Sequence, residues 1–203
     1  MHKHILNKNQ LALLPLVKEF SSQFGLVGGT AIALQLGHRR SIDFDLFIQK
    51  PFSNDRVRDV IKKHYSIDHT FVEGKTELTV LVNKVQFTFY RYNFPIKYTK
   101  KFDDIVGMPS LETLAAMKAF ALGKRTKWKD YVDLYFILQN ISFKSIADKA
   151  REIFTQEFNE KLFRSQLSYF KDLDLSEGID YLPGFEKSDE EIQSFLEAKS
   201  VEL

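Results

Sequence analysis

The structural signal in this chain is strongest in two neighbouring segments, Val27-Gly28-Gly29-Thr30 and Arg39-Arg40-Ser41-Ile42-Asp43-Phe44-Asp45-Leu46-Phe47. A turn of small residues precedes two carboxylates that are one residue apart. Because strand side chains alternate between faces, Asp43 and Asp45 are expected to point the same way from a strand over 42–48. Two acids on one side of an apolar strand repel each other unless a cation or a proton lies between them. A divalent metal ion that holds a nucleoside triphosphate meets this requirement.

Plainer interpretations of both segments are available. A Gly-Gly pair often forms only a tight turn, and two acids can occupy the solvated face of an edge strand. Arg39 and Arg40 could neutralise Asp43 and Asp45 in place of a metal. The order of strand, two glycines and helix start, however, lets backbone N–H groups approach a phosphate closely. We therefore favour a site for a metal and a nucleotide.

The composition is that of an ordinary globular protein, and it excludes several kinds of site. The chain has 203 residues, 44% hydrophobic and 28% charged, with a formal net charge of +2. Cysteine is absent, which excludes disulfides, thiolate metal sites and thiol nucleophiles. The balanced charge argues against a strongly basic nucleic-acid-binding protein. The N-terminal residues lack the apolar region of a signal peptide, and the apolar run over 11–17 is too short to span a membrane. We expect a cytoplasmic protein without a membrane partner.

The chain changes character near residue 108. Residues 1–108 have the pattern of a mixed sheet with helices, and residues 109–203 are predicted to form a helical region packed against it. The fold class is therefore predicted to be α+β. A basic loop between two predicted helices contains an aromatic residue and could contact a triphosphate or an RNA backbone. Its members are Lys124, Arg125, Lys127, Trp128 and Lys129.

Lys118 lies at the centre of an apolar helix face, where a lysine needs an anionic partner. It could pair with a carboxylate such as Asp133, or it could bind a nucleotide phosphate. Asp130 and Asp133 are three residues apart on the next predicted helix and share a face. Asp130 could also cap that helix, and an ion pair with a lysine or arginine would explain Asp133.

These motifs, taken in order, resemble those of the nucleotidyltransferase AbiEii/AbiGii toxin family. The first family motif is matched by Val27-Gly28-Gly29-Thr30-Ala31-Ile32-Ala33-Leu34, Gly37-His38-Arg39, Ser41 and Asp43-Phe44-Asp45. The later helical motif is matched by Ser110-Leu111-Glu112, Met117-Lys118-Ala119, Lys129-Asp130 and Asp133-Leu134-Tyr135.

The resemblance implies the DNA polymerase β-like nucleotidyltransferase fold, in which a mixed sheet carries the acids and a helical region closes over the nucleotide. It implies transfer of a nucleoside monophosphate from a nucleoside triphosphate to a hydroxyl group, with Mg²⁺ (or Mn²⁺) as cofactor and pyrophosphate as product. It further implies RNA, such as tRNA, as acceptor, and action as a toxin that a cognate antitoxin opposes.

The resemblance also implies a role for each motif residue. Contact with the nucleotide phosphates would fall to Gly28, Gly29, Thr30, Arg39 and Ser41. Metal binding would fall to Asp43 and Asp45. In the helical region Lys118 would contact the triphosphate, and Asp130, or alternatively Asp133, would take the acidic place of the last motif.

One strand departs from the family pattern. Enzymes of this fold usually carry a third carboxylate on a later strand, which helps to bind the metal beside the attacking hydroxyl. The strand predicted over 85–92 contains no acid, and Gln86 or Thr88 stands in that place. Two alternatives to RNA modification therefore stay open: a nucleotide-binding protein with impaired catalysis, and a transferase that acts on a small molecule.

Overall fold

Two structural units make up the chain in the computed structural model, Met1–Ser110 and Leu111–Leu203. The structure describes residues 1–122, 124–125, 127–171, 173–176 and 178–202. The first unit combines a mixed sheet with helices, and the regular elements described in the second are helical. The α+β class predicted from the sequence is confirmed.

One five-stranded sheet forms the centre of the first unit, in the order β1-β2-β5-β4-β3. Its strands are β1 (Gly25–Val27), β2 (Phe44–Ile48), β3 (His69–Glu73), β4 (Glu77–Val82) and β5 (Val85–Arg91). Only the pairing of β2 with β5 is parallel within this described sheet. The acidic strand β2 thus has a neighbour on each side, so it is not the edge strand of the plainer interpretation. A separate hairpin of β6 (Lys100–Phe102) and β7 (Val106–Met108) completes the strands of this unit.

Helices account for the remaining regular structure of both units. The first unit contains α1 (Lys8–Ala12), α2 (Leu14–Phe20), α3 (Gly28–Leu36), α4 (Asn54–Lys62) and a 3-10 turn at Lys3–Ile5. The second contains α5 (Leu111–Ala121), α6 (Trp128–Leu138), α7 (Phe143–Phe154), α8 (Glu160–Leu167), α9 (Asp189–Ser200) and a 3-10 turn at Thr155–Glu157. None of the helices in the described parts of the chain is both long enough and apolar enough to cross a membrane.

The two faces of the sheet differ in burial. On β2, Phe44, Leu46 and Ile48 are buried, whereas Asp45 and Phe47 between them are half-buried. The buried face continues through the aromatic rings of β5, where Phe89 contacts Phe20 of α2 with ring centroids 4.7 Å apart. The alternation expected for the acidic strand is confirmed over Phe44–Ile48, and it directs Asp45 away from the main core of this unit. Asp43 precedes the first residue of β2, so the predicted strand over 42–48 begins two residues too early.

A close approach between an aromatic ring and a glycine fixes the edge of the sheet. A Cβ added at Gly25 would lie 2.1 Å from the Tyr98 ring, so the ring occupies the space of a side chain at that position. The Tyr98 hydroxyl donates a hydrogen bond of 2.7 Å to the backbone oxygen of Phe47, the residue that faces Gly25 across the strand pair. Burial raises the pKa of Tyr98 to about 12, so its hydroxyl stays protonated and able to donate.

The Tyr98–Gly25 contact makes a prediction for stability. Gly25→Ala should lower the free energy of unfolding by about 1–3 kcal/mol, because the new methyl group overlaps a ring held by its own hydrogen bond. Gly74→Ala is the matched control, since its added Cβ would come no closer than 3.8 Å to Glu77. Urea unfolding measures both variants. If the Tyr98 ring is the obstacle, the cost of Gly25→Ala shrinks in a Tyr98→Ala background; an equal cost in both backgrounds would refute this explanation.

Candidate functional site

The strand pairing brings the acidic strand to the glycine turn. Val27 of β1 lies opposite Asp45 of β2, and α3 begins at the next residue, Gly28. A Cβ at Gly28 would lie 2.0 Å from Oδ2 of Asp45, and the φ angle of this glycine is +71°. Both the close approach and the left-handed backbone require glycine here. The Asp45 carboxylate therefore lies directly against the start of α3.

A different pair of side chains lies close to the second glycine. A Cβ at Gly29 would lie 2.8 Å from Nη2 of Arg39 and 3.2 Å from Oγ of Ser41. The Thr30 hydroxyl donates to the backbone oxygen of Asp43 at 2.5 Å and lies 2.9 Å from the Ser41 hydroxyl. The structure thus gathers the seven predicted site residues of this unit at the N-terminal end of α3, Asp43 through its backbone oxygen. They are Gly28, Gly29, Thr30, Arg39, Ser41, Asp43 and Asp45.

A buried glutamine that the sequence interpretation did not include holds this loop in place. Gln10 is fully buried, and its side-chain amide donates a 2.8 Å hydrogen bond to the backbone oxygen of Ser41. The oxygen of the same side-chain amide accepts a hydrogen bond from the backbone N–H of Asn7, which completes a capping box at the start of α1. Asn followed three residues later by Gln is a recognisable helix-start signature. The capping role of Gln10 could therefore be predicted from the sequence, whereas its hydrogen bond to Ser41 could not.

The donor set around the glycine turn fits a hard divalent cation. Asp43 and Asp45 are half-buried, and their carboxylate oxygens are the ligands that Mg²⁺ prefers. In the parts of the chain that the structure describes, no three His, Asp or Glu side chains are grouped so that they could hold a metal by themselves. Mg²⁺ is commonly bound by one or two carboxylates together with substrate phosphates. The N-terminal end of an α-helix is suited to bind such phosphates through its first N–H groups and its dipole, and α3 begins at this turn.

The strand beside the acids carries a hydroxyl group in the place where the family resemblance implies a carboxylate. The parallel register places Thr88 of β5 next to Asp45, and Thr79 of β4 lies opposite Thr88. Gln86 shares the face of Thr88, because strand residues two apart point the same way. The strand that the sequence predicts to lack the third acid is therefore β5, the neighbour of β2. Its residue Thr88 lies beside Asp45.

A separate, buried cluster of charges lies within the second unit. Nζ of Lys118 lies 2.5 Å from Oδ1 of Asp130 and 2.7 Å from Oδ2 of Asp133, and all three side chains are at most 6% exposed. Arg125 donates from Nε and Nη2 to the two carboxylate oxygens of Asp130, at 2.7 and 3.0 Å. The predicted ion pair of Lys118 with Asp133 is therefore present. Contact of Lys118 with a triphosphate stays a prediction.

The cluster keeps Asp130 ionised. Burial by itself would raise the pKa of this carboxyl group, but the charges and hydrogen bonds of Lys118 and Arg125 outweigh burial and hold the pKa below its ordinary value. A carboxyl pKa that is lower in the folded state stabilises the fold above the pKa of the unfolded chain, about 3.9. That stabilisation is lost only as the pH falls through the lowered native pKa.

The basic loop differs from the sequence interpretation. Trp128 is the first residue of α6, is 4% exposed and stacks on Tyr131, with ring centroids 5.8 Å apart. Its ring is part of the packing of the helical unit. Contact of the basic loop with a triphosphate or an RNA backbone stays a prediction. Two of the basic residues also have partners inside this unit, since Arg125 pairs with Asp130 and Nζ of Lys124 lies 3.4 Å from the centroid of the Phe120 ring.

Several known proteins are similar to this chain. A family model described as "Nucleotidyl transferase AbiEii toxin, Type IV TA system" matches residues 16–198. The protein aq_aa25 of Aquifex aeolicus (strain VF5) is 28% identical over 180 residues, which cover 87% of this chain and 80% of that protein.

Two solved structures from Helicobacter pylori share the fold. One is described as a nucleotidyltransferase and has a TM-score of 0.60 at 18% identity, covering 95% of this chain and 91% of its own. The other, JHP933, has a TM-score of 0.61 at 17% identity, with 96% and 91% covered. In each comparison the similarity covers nearly the whole length of this chain and of the solved structure.

The Gly28–Asp45 contact predicts a binding defect that is separate from backbone strain. Gly28→Ala should weaken binding of tripolyphosphate with Mg²⁺ by about tenfold or more, because the methyl group displaces both Asp45 and the first N–H groups of α3. Gly184→Ala is the control, since Gly184 also has a positive φ, +88°, but no atom within 4 Å of an added Cβ. Each variant carries about 1–2 kcal/mol of strain. Calorimetry that finds equal binding in both would contradict this assignment.

The buried charge cluster makes a prediction for stability. Lys118→Met should lower the free energy of unfolding at neutral pH by about 3–5 kcal/mol, because it leaves the fully buried Asp133 without its ammonium partner. Lys144→Met removes an exposed ion pair with Asp148 and should have a much smaller effect. Adding Asp133→Asn to Lys118→Met should restore part of the loss. Denaturant unfolding tests all three, and a Lys118→Met variant as stable as Lys144→Met would show that the cluster does not support the fold.

Proposed function

The chain belongs to the AbiEii nucleotidyltransferase toxin family, and on this premise we propose that it transfers a nucleoside monophosphate from a nucleoside triphosphate to a hydroxyl group of RNA, such as a tRNA. The proposed cofactor is Mg²⁺ or Mn²⁺. One observation carries the proposal: Asp45, Arg39 and Ser41 converge on the two glycines that open α3. This arrangement combines metal-binding carboxylates with a phosphate-binding helix start.

The residues at the start of α3 have different roles in binding. The N–H groups that follow Gly28 and Gly29 donate hydrogen bonds to the phosphate oxygens. The Arg39 guanidinium beside Gly29 adds a positive charge. The hydroxyl groups of Thr30 and Ser41 lie 2.9 Å apart and order the loop between the turn and Asp43. Asp43 and Asp45 would hold the metal ion. When bound, that ion supplies positive charge that stabilises the transferring phosphoryl group.

The transfer itself is an in-line displacement at the α-phosphorus. The acceptor hydroxyl oxygen bonds to phosphorus while the bond to the bridging oxygen breaks, and pyrophosphate leaves with that electron pair. Thr88 stands next to Asp45 where a carboxylate base would be expected. We therefore assign the hydroxyl proton to a phosphate oxygen of the substrate or to water. A reaction arranged in this way depends mainly on positioning and charge.

Lys118, Asp130 and Asp133 are proposed to act as one group. Two carboxylates hold the ammonium of Lys118 in a single orientation, at 2.5 and 2.7 Å. A lysine fixed in this way can contact a triphosphate and stabilise the leaving pyrophosphate without first losing side-chain freedom. Asp130 would then occupy the acidic place of the last family motif, with Asp133 as its partner in positioning.

Partners follow from the family and the substrates. The matching family is described as a toxin of type IV toxin–antitoxin systems, so we propose that a cognate antitoxin opposes this chain. Because nucleoside triphosphates and tRNA are cytoplasmic, we propose the cytoplasm as its location.

The test is transfer of labelled nucleotide to defined acceptors. Each of the four ribonucleoside triphosphates, labelled at the α-phosphorus, is incubated with Mg²⁺ or Mn²⁺ and either total tRNA or a panel of small hydroxyl compounds. Asp43→Asn and Asp45→Asn should each reduce labelling of RNA about a hundredfold or more, because a missing carboxylate weakens the metal site. Asp59→Asn, an exposed acid on α4, is the matched control and should label like the wild type.

The possible outcomes separate the alternatives. Labelled RNA with pyrophosphate release supports the proposal, whereas label found only on small compounds would replace the RNA acceptor. Tight triphosphate binding without pyrophosphate release from any acceptor would favour the impaired enzyme that Thr88 in place of an acid suggests. Full activity of both Asp43→Asn and Asp45→Asn would refute the assigned site.

A further inference from the structure

We propose that Phe47 and Tyr90 form a stacking surface for a nucleobase beside the two acids. The proposal rests on the proposed function, because the acids define where the phosphates lie. Phe47 follows Asp45 by two residues on β2, so both side chains project from the same face of the sheet, about 7 Å apart along the strand. Tyr90 of β5 pairs with Phe47, and their ring centroids lie 5.2 Å apart.

Two rows of side chains cross this face of the sheet. The first row contains Asp45, Thr88 and Thr79 on β2, β5 and β4. The second row, one step along the strands, contains Phe47, Tyr90 and, on β4, Glu77, which lies opposite Tyr90 and accepts a hydrogen bond from Thr79 of the first row. Asp45 and its polar row thus lie next to a pair of aromatic rings, and a nucleotide has two matching parts: charged phosphates and a flat base. One nucleotide is long enough to span the step between the rows.

The aromatic row is not needed to fill the main core of the unit. That core lies on the opposite face, where Phe44, Phe87 and Phe89 are completely buried. Phe47 and Tyr90 are half-buried, so part of each ring remains in contact with solvent. Half-buried aromatic rings on a sheet are suitable for stacking of bases, because every base has a flat π face.

Contacts beside the rings hold the stacking surface in place. The backbone oxygen of Phe47 accepts the hydrogen bond from Tyr98, whose ring lies on Gly25 at the neighbouring strand. On its other side Phe47 contacts Tyr90, and the Tyr92 ring centroid lies 5.3 Å from that of Phe47. A surface held in this way loses little freedom when a base binds.

The base could belong to either substrate of the transfer. It could be the base of the incoming nucleoside triphosphate, or that of the acceptor nucleoside in a single-stranded end of RNA. The chemistry recognised is the same in both cases, and binding experiments with each ligand distinguish them.

The experiment compares ligands with and without a base on the full chain. Calorimetry with Mg²⁺ measures binding of each ribonucleoside triphosphate, of tripolyphosphate, and of a short single-stranded RNA. Phe47→Leu and Tyr90→Leu remove the rings but keep an apolar side chain, and Tyr90→Phe keeps the ring. Phe71→Leu, at a ring 52% exposed on β3, is the matched control. Thermal unfolding verifies that each variant is folded.

We expect both leucine variants to weaken the base-containing ligand by about tenfold or more and to leave tripolyphosphate binding unchanged. Phe71→Leu should bind as the wild type does, and Tyr90→Phe should bind base-containing ligands more tightly than Tyr90→Leu, because it keeps the ring. Loss of triphosphate affinity identifies the incoming base, and loss of RNA affinity alone identifies the acceptor base.

Unchanged binding of both base-containing ligands would overturn the stacking surface, as would an equal loss for tripolyphosphate. Failure of the proposed function has a different signature. In that case Asp45→Asn would leave tripolyphosphate binding unchanged, whatever the leucine variants do.

Discussion

The space left by the missing side chain of Gly28 is the constraint on which the site depends. It lets the Asp45 carboxylate reach the first turn of α3, where N–H groups and the helix dipole attract negative charge. A phosphate bound at the same helix start would compete with this carboxylate for that positive region. The arrangement is therefore favourable only with additional positive charge, which the nearly buried Arg39 supplies from the side of Gly29 and which a divalent cation would supply between the acids.

The sequence was most informative where the structure is local. Alternation along β2 gave the faces of Asp45 and Phe44, Gly37 ends α3 in the left-handed conformation with a φ of +73°, and helical periodicity indicated the anionic partner of Lys118. It was least informative about contacts between distant segments. The β6–β7 hairpin has three residues per strand, too few for a periodic signal, and the burial of Trp128 depends on packing with Tyr131 and Phe170. The bond from Gln10 to Ser41 joins positions with no pattern in common.

The sheet has a different role on each side. One side consists of buried aliphatic and phenyl groups that pack with α2, and its residues serve stability. The other carries Asp45, Thr88, Phe47 and Tyr90 at intermediate exposure, and these side chains differ in polarity from row to row. Because strands alternate, a one-residue slip of β2 against β5 would exchange the two roles entirely. The parallel register is thus required both for the core and for the proposed site.

That register also affects how the protein reaches its active form. β2 obtains its first neighbour from β1, which precedes it closely, but its second neighbour, β5, comes only after α4, β3 and β4. Pairing of segments so far apart requires closure of a long loop, which slows folding compared with local structure. Asp45 is set between Gly28 and Thr88 only after this closure. We therefore expect a newly made chain to complete its helices and hairpins before the groups proposed to bind the nucleotide are aligned, so that competence for the reaction is among the last properties that it acquires.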